Sequence, residues 1–227
     1  MALLGQAAVA MWWNMAAAQR EAFEHWHSHE HFPERMGIPG FLRGSRWSAR
    51  GGGEGFFVLY ELDRYETLTS DGYMARLNHP TPWSVQMMPH HRDMVRSQCR
   101  VLHSAGGGIG RCALTVRLSP VAGREAALLA CLGQVAAGFI TRAGGVAFHV
   151  LRTETPLAAP TREQEIRGGQ DAAADWIVVA VAYGHEALAV LQASELGEKE
   201  LMKNGARAGV TAGCYELAYA AAAADLA

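Results

Sequence analysis

Imidazole and guanidinium groups are the side chains best placed to do chemistry here, and they gather in one stretch. Residues 22–47, AFEHWHSHEHFPERMGIPGFLRGSRW, set His25, His27, His29 and His31 within seven residues around Trp26, with Arg43 and Arg46 behind them. An imidazole near pKa 6.5 can take or give a proton at neutral pH, or hold a ligand carbonyl by a hydrogen bond. On a helix, residues four apart share a face with Cβ atoms roughly 5–6 Å apart, which pairs His27 with His31 and His25 with His29. Two metal ligands have the same spacing, but a site needs a third. Glu30 and Glu34 point only partly the same way, and no HExxH accompanies the pairs. No metal and no cofactor are therefore expected. A plainer alternative is a solvated helix end whose histidines and glutamates complement one another.

Other candidates are weaker. Arg43 and Arg46 are three apart on a predicted strand, so they point to opposite faces and only one of them can bind a ligand in a given pocket. Tyr60, within FFVLYELD, is a ligand contact or, more simply, core. Trp83 and the Met87-Met88 pair, close to His90 and His91, suit either a pliable lid or a short amphipathic helix. The glycine runs at 51–53 and 106–108 lack the GxGxxG and GxxxxGK[ST] context of a phosphate loop, and no nucleophile elbow is present.

These residues need a scaffold. Residues 3–13 read as a buried strand, and a helix follows from Ala16 to about Arg35, ended or kinked by Pro33. Pro39-Gly40 turns the chain into the strand FLRGSRWSA, GGGEG (51–55) makes a hairpin-type loop, and FFVLYELD is the next strand. A helix near Tyr65–Leu77 capped by Asp63, a short helix from Thr81 and the strand RSQCRVLH complete the first half. After the joint GGGIG the order starts again. RCALTVRLS, a long apolar helix, GVAFHVLRTE, the polar excursion TREQEIRGGQDAAA, DWIVVAVAY, the helical GHEALAVLQASELGEKELMKNG and AGVTAGCYELAYA follow in turn. FFVLYELDRYETL also aligns in hydrophobic pattern with WIVVAVAYGHEAL, matching Leu68 to Leu188.

Each half thus reads β-α-β-β-α-β, the ferredoxin-like order. Such a unit carries both helices on one face of its sheet and leaves the other face bare, and a second copy can cover it. The fold class expected is α+β: two tandem ferredoxin-like units, 1–105 and 106–227, packed sheet to sheet as a pseudo-dimeric α/β barrel.

The opening stretch resembles the dimeric α/β-barrel superfamily, in particular its EthD-like and stress-responsive members. Trp26, His31 and Pro33 fit the pattern W-x4-H-x-P, and Pro39-Gly40 with the Arg-bearing strand follows as in those proteins. The likeness covers about the first 70 residues; the second half matches only in element order and has no W-x4-H-x-P. The resemblance implies a small-molecule-binding barrel, with cofactor-independent oxygenases, isomerases and cyclases among its members. It singles out His31 as the catalytic histidine; the residues themselves add His27 beside it, with Trp26, Arg46, Arg43, Tyr60 and Trp83 as ligand contacts. A non-catalytic ligand-binding or assembly protein and a haem-binding barrel stay open as alternatives, so whether the chain is an enzyme is left undecided.

Composition narrows the partners. A net charge of −2 with scattered arginines excludes a nucleic-acid footprint. Cys99, Cys112, Cys131 and Cys214 are dispersed, as buried thiols of a reducing compartment would be. The N-terminus is uncharged but lacks a basic n-region, and no apolar run is long enough to span a bilayer. The expectations are a cytoplasmic protein, a small hydrophobic organic ligand, no nucleic-acid or membrane partner, and association into a homodimer.

Overall fold

Strand-forming runs alternate with helical ones in the same order twice, and the chain folds accordingly. The computed structural model describes residues 3–51, 55–154, 159–169 and 171–226. In the first half, strand β1 (Ala7–Asn14) leads to helix α1 (Ala17–Trp26), a π turn (His27–His31) and α2 (Phe32–Met36). Strands β2 (Phe41–Ala49) and β3 (Phe56–Leu62) follow, then a 3-10 turn (Tyr65–Thr69), α3 (Asp71–Asn78), α4 (Pro82–Met87) and β4 (Arg92–Gly106). The second half runs β5 (Cys112–Leu118), α5 (Glu125–Phe139), β6 (Gly145–Thr153), α6 (Arg162–Ile166), β7 (Trp176–Ala182), α7 (His185–Ala193), α8 (Glu198–Lys203) and β8 (Thr211–Ala222).

The strands close into one antiparallel barrel in the order β1-β3-β2-β8-β5-β7-β6-β4. Within it, β4-β1-β3-β2 and β8-β5-β7-β6 are the two ferredoxin-like sheets, joined where β2 pairs β8 and β4 pairs β6. Alternation sorts the side chains. Ala8, Ala10, Trp12, Phe57, Leu59, Ala113, Ala147, Ile177 and Val179 come from both halves into one cluster, the barrel lumen. The opposite faces carry each half's helices on cores of their own. Among the described residues closure leaves no open sheet edge, so any association of copies would use the outer surfaces rather than the edge pairing that open sheets offer.

Several boundaries differ from the sequence expectation. β1 begins at Ala7, because the residues before it cross the barrel end, where the backbone N–H of Gln6 bonds Leu62. The helix expected near residues 65–77 splits, and α3 is capped by the Ser70 side chain rather than Asp63. Asp63 instead accepts from Thr67 Oγ1 at 2.6 Å, which closes the 3-10 turn. Thr81 caps α4 as its position before Pro82 predicts. Residues 52–54, within the expected β2–β3 hairpin loop, and residues 1–2 of the N-terminus lie outside the described residues, as does Gln170 in the polar excursion. No helix among the described residues is long and apolar enough to cross a membrane.

Gly44 is what lets α2 sit down on β2. A Cβ there would lie 2.4 Å from Phe32 Cζ and 2.9 Å from Tyr60 Cδ1. Gly44→Ala is therefore expected to push Phe32 off the sheet and cost about 1–3 kcal/mol, read as a lower urea midpoint. An unchanged midpoint would show that this contact positions nothing.

Candidate functional site

The site begins with a misfit between a proline and a helix. Pro33 has no N–H to give, and its ring crowds the carbonyl four residues back. The chain accommodates it near the start of α2 by widening the turn before it, so that the Phe32 N–H bonds the His27 carbonyl five residues back. The expected uninterrupted helix from Ala16 to Arg35 is thus an α-helix with a π insertion, a feature common at functional sites. The turn sorts the histidines into two pairs. His27 and His31 face inward, 2% and 9% exposed, with ring centroids 5.5 Å apart. His25 and His29 lie outside with ring centroids 4.5 Å apart, where the His29 Nδ1–H donates to the His25 carbonyl.

Trp26 fixes the turn. Its indole lies 4.5 Å from the His31 ring, and its Nε1 donates to Glu30, which also accepts from Thr81 at the start of α4. Beneath the inward pair is a cavity floored by Met11 and Trp13 of β1, Tyr60 of β3 and Met94 and Arg96 of β4. Leu77, Tyr73, Met88 and His91 close one side. Arg35 of α2 with Glu163 and Arg167, from α6 and the residue after it, closes the other. It offers about 40 Å³ to the centres of water-sized molecules, room for a few waters.

Burial and nearby cations set the protonation of this cavity. Burial first, and then the charge of Arg46, hold the pKa of His27 well below the usual imidazole value. Burial followed by Arg35 does the same to His31, so both rings are neutral at pH 7. His91 is brought down to about 3 by burial and Arg167. Its Nδ1–H donates to the Met88 carbonyl at 3.1 Å, which leaves Nε2 as the basic nitrogen. With His31 neutral, its 3.9 Å approach to Glu34 is not an ion pair. Burial also raises the Tyr60 phenol and keeps it protonated.

Hydrogen bonding is incomplete at the same place. Trp13 Nε1, His27 Nδ1, His31 Nδ1 and the Tyr60 hydroxyl are buried without a hydrogen-bond partner among the described residues, and all belong to the lining of this one cavity. The charged end, by contrast, is tightly paired. Arg35 bonds Glu163 and, at 3.4 Å, Glu34; Arg167 bonds Asp171 at 2.7 Å; Arg96 donates to the Tyr73 hydroxyl at 2.7 Å.

Of the residues singled out from sequence, His27, His31, Trp26 and Tyr60 meet at this cavity. Three do not. Arg43 lies on the lumen side of β2, ion-paired to Glu61 at 2.7 Å. Arg46 lies on the helix side, as the opposite-face argument requires. Its Nη1 donates to the Glu24 carbonyl at 3.2 Å and it sits over the Phe23 and Tyr219 rings, so it reaches His27 only through its charge. Trp83 packs outside, 5.4 Å from the His25 ring. Sequence reasoning missed Arg35, Tyr73, Arg96, Glu163 and Arg167, and saw His91 only as a neighbour of a lid. One signal was available: Thr161 and Gln164 form a capping box, and Glu163, Arg167 and Asp171 recur at i, i+4 spacing.

Fold and site together define a pseudo-dimeric α/β barrel of tandem ferredoxin-like units with a polar cavity under one helix of the first. Solved structures agree on the fold. An anthrone oxidase-like protein superposes with a TM-score of 0.67 at 14% identity, over 96% of this chain and 92% of that one. A candidate monooxygenase from Fusobacterium nucleatum subsp. nucleatum gives 0.62 at 6% identity, over 96% and 95%. A heme-binding protein from Thermus thermophilus gives 0.55 at 9% identity, over 96% and 92%. No family model and no curated protein matches the sequence.

Proposed function

We propose that the chain binds a small, flat, largely apolar organic molecule in this cavity and moves a proton on it with the His27–His31 pair. The observation that supports this best is the convergence of four unpartnered buried polar groups on one space. Native interiors pair nearly all such groups, and exceptions point to a ligand or to catalysis. Two neutral imidazoles can accept a proton from an activated C–H or O–H, and Trp13 Nε1 and the Tyr60 hydroxyl can donate to the oxygen where charge develops. Met11, Met88 and Met94 supply side chains flexible enough to make room.

Proton removal of this kind is the opening step of a cofactor-independent oxygenation, isomerisation or cyclisation. The names of two structural neighbours, anthrone oxidase-like and candidate monooxygenase, favour oxygenation. In that reaction a methylene loses two hydrogens and gains one oxygen atom of O2, and the other oxygen leaves as water. The W-x4-H-x-P stretch supports an EthD-like relationship within the superfamily. The ion pair of Arg35 and Glu163 that closes the far end of the cavity favours a ligand smaller than a porphyrin.

The test uses anthrone in air-saturated buffer, following oxygen uptake and quinone absorbance. The wild-type protein is expected to accelerate the reaction over buffer. His31→Ala is expected to lose about a hundredfold in rate, with His27→Ala also impaired. Binding of anthrone without turnover would favour the non-catalytic alternative, and the absence of both binding and turnover would overturn the proposal.

A further inference from the structure

The charged end of the cavity holds one guanidinium that no carboxylate bonds directly among the described residues and that the proton-transfer reading leaves unused. Three cations line it: Arg35, Arg96 and Arg167. Arg35 is ion-paired to Glu163 and Glu34, and Arg167 to Asp171 with Glu163 at 3.8 Å. Arg96 is different. Its Nη2 donates to the Tyr73 hydroxyl at 2.7 Å, and among the described residues no carboxylate lies within ion-pair distance of it. A phenol hydroxyl accepts one hydrogen bond but offsets no charge. The cavity's histidines, held neutral, add no charge of their own, and the orphaned indole and phenol groups are donors only to an incoming oxygen.

Asp171 and Glu163 act on Arg96 only through their charge, and a guanidinium that no carboxylate bonds directly keeps N–H donors for an incoming group. It also presents a planar fork that matches a carboxylate or an ionised enol. Arg96 is held in place from both sides: its backbone N–H bonds the Ala172 carbonyl of the second half at 2.8 Å, and Tyr73 on α3 orients its head. It shares the cavity wall with Met94, two residues back on the same face of β4.

We infer that Arg96, oriented by Tyr73, is an anion-recognising group, and that the ligand of this cavity carries one acidic group, bound or formed as its anion against that guanidinium. This rests on the reading of the cavity as a ligand site and adds the chemical class of the ligand: an apolar ring system bearing a single carboxylate, phenolate or enolate oxygen. Trp26 and the methionines would cover the ring, while Arg96 takes the charge.

Benzoate and benzamide test it, because they share shape and differ in charge. Their binding is followed by chemical-shift titration of the histidine and tryptophan side-chain signals. The wild-type protein is expected to bind benzoate about ten- to hundredfold more tightly than benzamide, the difference a charge-assisted bond makes. Arg96→Gln is expected to abolish that preference, weakening benzoate far more than benzamide. Arg96→Lys, which keeps the charge but not the fork, should retain part of it and serves as the control for folding. Equal binding of both probes by the wild type, or a preference that survives in Arg96→Gln, overturns this inference alone. Binding of neither probe overturns it together with the ligand-site reading.

Discussion

Lowering the pH from about 7.5 to about 5 is expected to remove several kcal/mol of stability, before most carboxylates titrate. The cause is a set of imidazoles buried in the neutral form. Burial and Arg167 bring His91 down to about 3, and burial with Arg43 brings His149 down to about 4. His27 and His31 lie well below 6.5, chiefly through burial. In the unfolded chain all of them titrate near 6.5. Between that value and the depressed folded values the unfolded state binds more protons, so stability rises with pH there. It is fully present above about 6.5 and is lost as the pH falls towards the folded values. At pH 5 His91 and His149 each withdraw about 2 kcal/mol, and His27 and His31 add to the loss in the same direction. Glu34 and Glu61, raised by burial, work in the opposite sense as the pH falls through their folded values and soften the loss. Urea midpoints measured by circular dichroism at pH 7.5, 6.5, 5.5 and 5.0 check this. His149→Gln should flatten the slope by one proton's share. A midpoint that stays level down to pH 5 would mean that these rings are protonated in the folded protein.

The pairing of the histidines was legible in the sequence because it is local. An i, i+4 spacing survives a helix that widens by one residue, so His27 and His31 still meet, although the sequence shows Pro33 and not the π turn that absorbs it. The barrel was legible for a similar reason: runs such as FLRGSRWSA and FFVLYEL, repeated in order, leave little choice of partner once each sheet must cover the other. Arg43 and Arg46 were correctly parted by strand alternation. Which of them faced the helices depends on the register of β2, which shifts near both residues, and no local pattern encodes that. The far wall of the cavity was illegible. Glu163 meets Arg35 across 128 residues of chain, and its segment reads on its own as a solvated polar excursion. Only the closing of the barrel, β6 against β4 and β7 beside β6, carries α6 over the first half's site.

That contact gives the other large expectation: Arg35→Ala should destabilise the protein by about 3–5 kcal/mol. Arg35 is 3% exposed and Glu163 4%. Their attraction offsets the cost of taking both charges out of water, and with Arg35 gone Glu163 keeps only the longer 3.8 Å contact with Arg167 to offset that cost. Glu34 keeps Arg76 at 3.4 Å, but that arginine is largely solvated and shields it poorly. Truncation also empties the space the guanidinium filled at the cavity wall, so the loss exceeds that of a surface pair, which is at most about 1 kcal/mol. A double-mutant cycle separates the parts. Glu163→Gln alone should cost less, because a neutral amide can still accept from Arg35. Arg35→Met with Glu163→Met should recover most of the stability lost in Arg35→Ala, since an apolar pair replaces an ionic one without leaving a charge behind. If the double variant is no more stable than Arg35→Ala, the cost lies in packing around α2 rather than in the ion pair. Because the partners sit on α2 and α6, a measured coupling energy would also be the strength with which the second half holds shut the cavity of the first.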